Sequence, residues 1–165
     1  CIDMMIDQAN RPLTETMIKQ LHLLLMSGIA DSRKNWFAVG DYKRLANEVG
    51  GRETAAPGDV PKKMKELLSD YGKLEKVIFD DLLDFHYQFE SIHPFQDGNG
   101  RVGRLILFKE CLRNGIVPFI IEDDMKMFYY RGLKEWRNEK GYLRDTCLTA
   151  QDRFKAYLDY YGVKY

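Results

Sequence analysis

The sequence predicts an all-α fold, a bundle packed around one central buried helix. Three observations carry that prediction. Apolar residues recur at i, i+3 and i+4 along most of the chain. One stretch, Arg101 to Arg113, is apolar nearly all round, as a helix at the centre of a domain must be. Helix start and stop signals bracket these stretches where the periodicity begins and ends. The 165 residues suit a single domain, 1–165, with its own core.

Taken in order, Ile2, Met5 and Ile6 already fall at helical spacing, although the chain opens on Cys1 rather than Met. The chain therefore reads as a fragment cut inside or just after a helix, with an N-terminal part of the parent protein missing. Asn10-Arg11-Pro12 breaks the pattern, and Thr14 is placed to N-cap a helix carrying Met17, Ile18, Leu21, Leu24 and Leu25 as far as Gly28. The stretch from Asp31 to Gly58, with Trp36, Phe37, Val39, Tyr42 and Gly50-Gly51, departs from helical spacing. It reads as a short extended hairpin or as a structured loop. Long irregular segments in compact domains are usually functional or disordered, and these aromatics argue against disorder. A helix then starts at Gly58 or Asp59, with Pro61 in its first turn and Met64, Leu67 and Leu68 facing inward. From Lys73 to Ile92 the positions Val77, Ile78, Leu82, Phe85, Phe89 and Ile92 form the stripe of a core helix. The central helix follows a break at His93 to Gly100 and ends at the C-cap signal Asn114-Gly115. Glu122 to Asn138 and Leu143 to Tyr161 supply two more helices.

Composition excludes several function classes. Lys plus Arg is 25 and Asp plus Glu is 25, so the net charge is zero. That leaves no electrostatic footprint for direct nucleic-acid binding, although a local anion site is still allowed. Cys1, Cys111 and Cys147 form neither a disulfide framework nor a metal knuckle, and imply a reducing compartment. No apolar run approaches the roughly 18 residues needed to span a bilayer, and no signal peptide is visible. The expectation is a cytoplasmic protein with no membrane partner.

The segment that carries chemistry is His93-Pro94-Phe95-Gln96-Asp97-Gly98-Asn99-Gly100-Arg101-Val102-Gly103-Arg104. Gly98 and Gly100 let the backbone approach a ligand closely. The N–H groups of Gly98, Asn99 and Gly100 then point outward at a helix N-terminus, which is an anion site. Arg101 and Arg104 share a face of the first turn, where the helix dipole disfavours each cation by roughly 0.3–1 kcal/mol. Their placement implies a strong anion, and guanidinium forks match phosphate oxygens bidentately. Asp97 before this nest suits a phosphate only through a cation, for which Mg²⁺ is the usual choice. His93 has the intrinsic pKa of a general base for a hydroxyl nucleophile. Together the parts indicate phosphoryl or nucleotidyl transfer. No Gly-Lys-Ser/Thr follows the glycines, so this is not a Walker P-loop.

These twelve residues resemble the signature of the Fic (Fic/Doc) family, HPFx(D/E)GNGRxxR, at every fixed position. The resemblance extends from about Pro12 to Tyr161. It implies a Fic fold: a helical bundle with a short β-hairpin flap. It also implies a protein adenylyltransferase, with ATP as co-substrate, Mg²⁺ as cofactor and a Ser, Thr or Tyr hydroxyl of a protein target as acceptor. In that case His93 deprotonates the hydroxyl, and Asp97 holds the Mg²⁺. Gly98, Asn99 and Gly100 form the anion hole, while Arg101 and Arg104 hold the outer phosphates. Tyr129 and Tyr130 line the nucleoside pocket, and the flap around Val49, Gly50, Gly51 and Arg52 clamps the donor and docks the target as an added strand. Gly100 favours AMP transfer, because relatives that phosphorylate carry Lys there. Seven residues after Tyr130, where some relatives place an Asn against adenine, this chain has Arg137. No Glu here has Ser or Thr four residues before it, so the family's inhibitory Ser/Thr-x-x-x-Glu-Gly/Asn is absent from these residues. The alternatives are transfer of UMP or phosphocholine, removal of AMP, or a non-catalytic nucleotide-sensing module.

Other residues read more plainly. His86 is a core or supporting histidine, and His22 a helix-face residue. Trp36 and Phe37 are flap anchors or contacts of a homo-oligomer. Arg131 to Arg137 is a solvated helix face. Tyr160, Tyr161 and Tyr165 form an aromatic tail suited to packing.

Overall fold

A computed structural model describes residues 1–28, 34 and 36–165. Its elements are α1 (Ile2–Asp7), α2 (Glu15–Met26), the strands β1 (Glu48–Val49) and β2 (Arg52–Glu53), then α3 (Val60–Gly72), α4 (Phe79–Ile92), α5 (Asn99–Arg113), α6 (Lys126–Glu135) and α7 (Gly141–Tyr160). Short 3₁₀ turns precede α3 at Pro57–Asp59 and α6 at Asp123–Met125. The fold is all-α apart from one hairpin. Helices α1, α2 and α4 pack on α5, α3 packs on α4, and α6 packs on α7. No helix among the described residues is long and apolar enough to cross a membrane.

Helix α5 lies at the centre, as its composition predicts. Val102, Ile106, Leu107 and Cys111 are buried. So are Lys109 and Glu110, which periodicity alone does not place inside. They survive burial because each is partnered. Lys109 donates to the carbonyl of Arg11 and to Glu110, and Tyr71 OH donates to Glu110 Oε2 at 2.7 Å.

Thr14 caps α2 through its hydroxyl, which accepts from Met17 N at 3.2 Å. Met17, Ile18 and Leu21 are buried, whereas Leu24 is exposed. The core stripe expected from Lys73 begins later, because α4 starts only at Phe79. The physical reason is local: Asp81 accepts from Ile78 N at 2.9 Å, and this cap sets the start of the helix after Ile78. Val77 and Ile78 therefore precede the helix.

Residues 29–33 and 35, which include the start of the stretch from Asp31, lie outside the described residues. Within the rest of that stretch the hairpin is present. Glu48 pairs with Glu53 and Val49 with Arg52 in antiparallel register. Gly50 (φ 56°) and Gly51 (φ 72°) make the two-residue turn with both φ values positive, the geometry that matches strand twist. Phe37 is buried, stacked 6.4 Å from the His22 ring, while Trp36 is exposed.

Candidate active site

Helix α4 ends on His93, which takes a left-handed conformation (φ 53°) as the C-cap residue. It has the only positive φ outside glycine among the described residues. Such strain in a non-glycine residue needs surroundings that hold it. His93 N donates to Phe89 O at 2.9 Å, and Nδ1 lies 3.3 Å from Glu90 O. A carbonyl can only accept, so Nδ1 carries the proton and Nε2 keeps its lone pair. Burial pushes the His93 pKa below its ordinary value, the Glu90 carbonyl pulls it up, and the Lys43 charge lowers it further. The result is a neutral imidazole with one basic nitrogen free.

From His93 the chain turns through Pro94 to Asp97 and enters α5. Asn99 is buried and closes this turn from within: its Oδ1 accepts from Phe95 N at 2.7 Å and its Nδ2 donates to Phe95 O at 2.8 Å. The Asn99 side chain is thus committed to the loop, and its backbone is what remains for a ligand. Gly98 (φ 80°) is the N-cap of α5. Its N–H donates to Asp97 Oδ1 at 2.6 Å, so in this state the nest expected at Gly98, Asn99 and Gly100 is partly occupied by the protein's own carboxylate. The first helical bond of α5 runs from Val102 N to Gly98 O at 2.9 Å, which leaves the N–H groups of Asn99, Gly100 and Arg101 at the open end.

Arg101 is exposed, with its guanidinium 3.5 Å from Asp97 Oδ2. Arg104 is half-buried and faces inward. It sits over the Tyr129 ring at 5.9 Å and acts on Glu90. The Tyr129 hydroxyl lies 2.5 Å from His86 Nε2, and both residues are buried. Burial and then Arg104 push the His86 pKa down to about 3, so it is neutral. Tyr129 thus sits in the core behind the arginine, while Tyr130 is exposed. Arg137 lies past the end of α6, its guanidinium 5.7 Å from the Tyr87 ring centroid. The hairpin residues Val49, Gly50, Gly51 and Arg52 are all exposed.

Three supporting residues escape a reading by periodicity. His22 is not a plain helix-face residue but fully buried, stacked 3.9 Å from the Phe95 ring with an interplanar angle of 3°. Gly40 N donates to its Nδ1 at 2.9 Å, so its Nε2 carries the proton and donates to Asp97 O at 3.1 Å. It holds the motif from behind, 75 residues away in sequence, and nothing local in the sequence signals that pairing. Glu90 sits between His93 and Arg104, with Oε2 4.0 Å from His93 Nδ1 and Oε1 buried without a partner. Burial pushes its carboxyl up to about 7 and Arg104 pulls it down. Its i−3 spacing from His93 on one helix could have flagged it. Lys43 is the third.

Gly98 is sensitive for two reasons. A side chain there would adopt a left-handed φ, and its Cβ would stand 2.8 Å from Met26 Sδ. The left-handed backbone alone costs about 1–2 kcal/mol. Gly98→Ala should lower unfolding stability by at least that amount, read as an earlier midpoint in urea. An unchanged midpoint would show that the loop relaxes freely.

Asp97 could serve a divalent cation. Its side chain is 62% exposed, and no cluster of three or more metal-ligating side chains exists among the described residues. One exposed carboxylate at the N-terminus of α5, engaged here by Gly98 N and Arg101, is the kind of donor Mg²⁺ uses when phosphate oxygens and water complete its shell. The residues therefore fit that group.

Comparison with known proteins agrees with this geometry. A model of the Fic/DOC family matches residues 12–110. A protein adenylyltransferase Fic from Drosophila willistoni is 37% identical over 100 residues, covering 58% of this chain and 20% of that protein. The relative of the same name in Aedes aegypti is 33% identical over 94 residues, covering 55% of this chain and 19% of its own. This chain thus spans about a fifth of the length of these curated relatives. Among solved structures, a Fic domain containing signaling protein from Bacteroides thetaiotaomicron superposes with a TM-score of 0.70 at 26% identity, covering 96% of this chain and 62% of that one.

Proposed function

Since this chain belongs to the Fic/DOC family, we propose that it transfers AMP from ATP to a Ser, Thr or Tyr hydroxyl of a protein target. The observation that carries the reading is His93. Its Nδ1–H is committed to Glu90 O, which leaves Nε2 as a base on the segment that leads into the open N-terminus of α5. In the reaction, His93 Nε2 takes the hydroxyl proton while the hydroxyl oxygen attacks the α-phosphorus. The new P–O bond forms as the bond to the β-phosphate oxygen breaks, and pyrophosphate leaves. The backbone N–H groups at the start of α5, with Arg101 and Arg104, hold the phosphate oxygens through charge-assisted bonds. Asp97 would hold Mg²⁺, whose chemistry there would be to offset the phosphate charge. Tyr130 and the hairpin bound the nucleoside side, and the hairpin edge takes the target backbone as an added strand. The named activity of the insect relatives supports the AMP donor chemistry.

Incubation with lysate proteins, Mg²⁺ and α-labelled ATP should label protein, and γ-labelled ATP should not. Excess chelator should abolish the signal. Label arriving from the γ-position would replace AMP transfer with phosphorylation, and no label from either position would remove the reading.

A further inference from the structure

Lys43 is charged yet only 3% exposed. The three acceptors around its Nζ are neutral: Asn47 Oδ1 at 2.6 Å, Thr54 Oγ1 at 2.6 Å and Ile92 O at 3.4 Å. Burial alone pushes its pKa down to about 8, a cost that no carboxylate among these acceptors offsets. What it gains is geometric. Asn47 precedes β1 and Thr54 follows β2, so two acceptors are the two stems of the hairpin. The third is the last carbonyl of α4, where the helix dipole favours a cation, and it directly precedes His93.

The surrounding contacts run the same way. Lys43 N donates to Pro94 O at 2.9 Å, Asn47 Nδ2 to Phe95 O at 3.0 Å and Leu45 N to Gln96 Oε1 at 3.2 Å. Segment 43–47 is thus laced to segment 92–96. The tip of the hairpin, with four exposed residues, is held only through these stems.

We propose that Lys43 is a positioning residue that sets the register of the hairpin against His93. Resting on the adenylylation reading, its role is to bring a target strand added to the hairpin edge to the base with its hydroxyl in place. Lys43→Met keeps the unbranched bulk and removes the three donors, while the Thr54–Asn47 contacts at 2.6 and 2.9 Å remain. The hairpin stays closed but loses the bridge from its two stems to Ile92 O, the last carbonyl of α4, while the Asn47–Phe95 and Leu45–Gln96 bonds persist.

The test uses this chain with two readouts. Hydrogen exchange of the 48–53 amides should accelerate in Lys43→Met while the helices stay as in wild type. Binding of a non-hydrolysable ATP analogue should change less than protein labelling from α-labelled ATP. Labelling should fall by about 10²-fold, the effect of a misplacement near 1 Å. Unchanged exchange, or acceleration spread over the whole domain, overturns the proposal. So does full labelling by Lys43→Met where wild type labels. If wild type itself does not label, adenylylation fails separately and exchange still decides the register role. Should Lys43→Met not fold, Lys43→Gln shortens the side chain and replaces the ammonium with a neutral amide while leaving the Thr54–Asn47 contacts in place; it should give the same readout at smaller amplitude, and unchanged exchange there overturns the proposal.

Discussion

His93→Ala should cut protein labelling from α-labelled ATP by about 10²–10⁴-fold, the usual contribution of a positioned general base. ATP binding should be nearly unaffected, because the groups proposed to hold the phosphates lie on α5. The loss belongs in kcat. His93→Ala also removes a side chain from a strained left-handed position, where alanine is no better tolerated, so the fold should be checked by thermal unfolding. Labelling that survives in a folded His93→Ala protein would move the base elsewhere. The pH dependence gives a second check. The base works only when neutral, and burial holds its pKa below the ordinary 6.5. Labelling should therefore rise with pH through a midpoint below 6.5. A midpoint above 6.5 would contradict the burial of His93. Glu90, pushed up to about 7 at 4.0 Å from Nδ1, changes charge near the upper end of this window. Its ionisation favours the imidazolium, so it can only broaden the limb upward.

Gly132→Ala should be among the most destabilising small substitutions in the chain. A Cβ there would stand 2.6 Å from Leu143 Cα and 2.7 Å from Leu143 N, both backbone atoms of α7. Backbone cannot rotate aside, so α6 and α7 must part. Such overpacking costs about 3 kcal/mol, and the better helix propensity of alanine offsets about 1 kcal/mol. A net loss of about 2 kcal/mol corresponds to roughly 4–8 °C in Tm for a domain of this size. Gly72→Ala is the matched control. It is also helical, with open space around it and no positive φ, and should not lose stability. Equal behaviour of the two variants would refute the close approach of α6 and α7.

Local chemistry made much of this molecule legible in advance. Thr14 caps where a threonine before an apolar stripe should, Gly50-Gly51 turns the hairpin, and α5 is central because it is apolar nearly all round. Each of these depends on neighbours within one or two turns. The same is true of the motif, whose base, carboxylate, glycines and arginines lie on twelve consecutive residues. The start of α4 departs from the apolar spacing of Val77 and Ile78, because a single cap, Asp81 on Ile78 N, outweighs it.

By itself the sequence determined the helices, the order of the reactive groups and the family. Only the tertiary structure decided what holds those groups still. His22 reaches Asp97 across 75 residues, and Lys43 reaches Ile92 across 49. Tyr129 turns inward to His86 while Tyr130 faces out. Burial set the protonation of His93, His86 and Glu90. Hydrogen bonds between distant segments, and the desolvation that follows from packing, leave no period or spacing in a chain. They exist only once α2, the hairpin and α4 have closed on the end of α5.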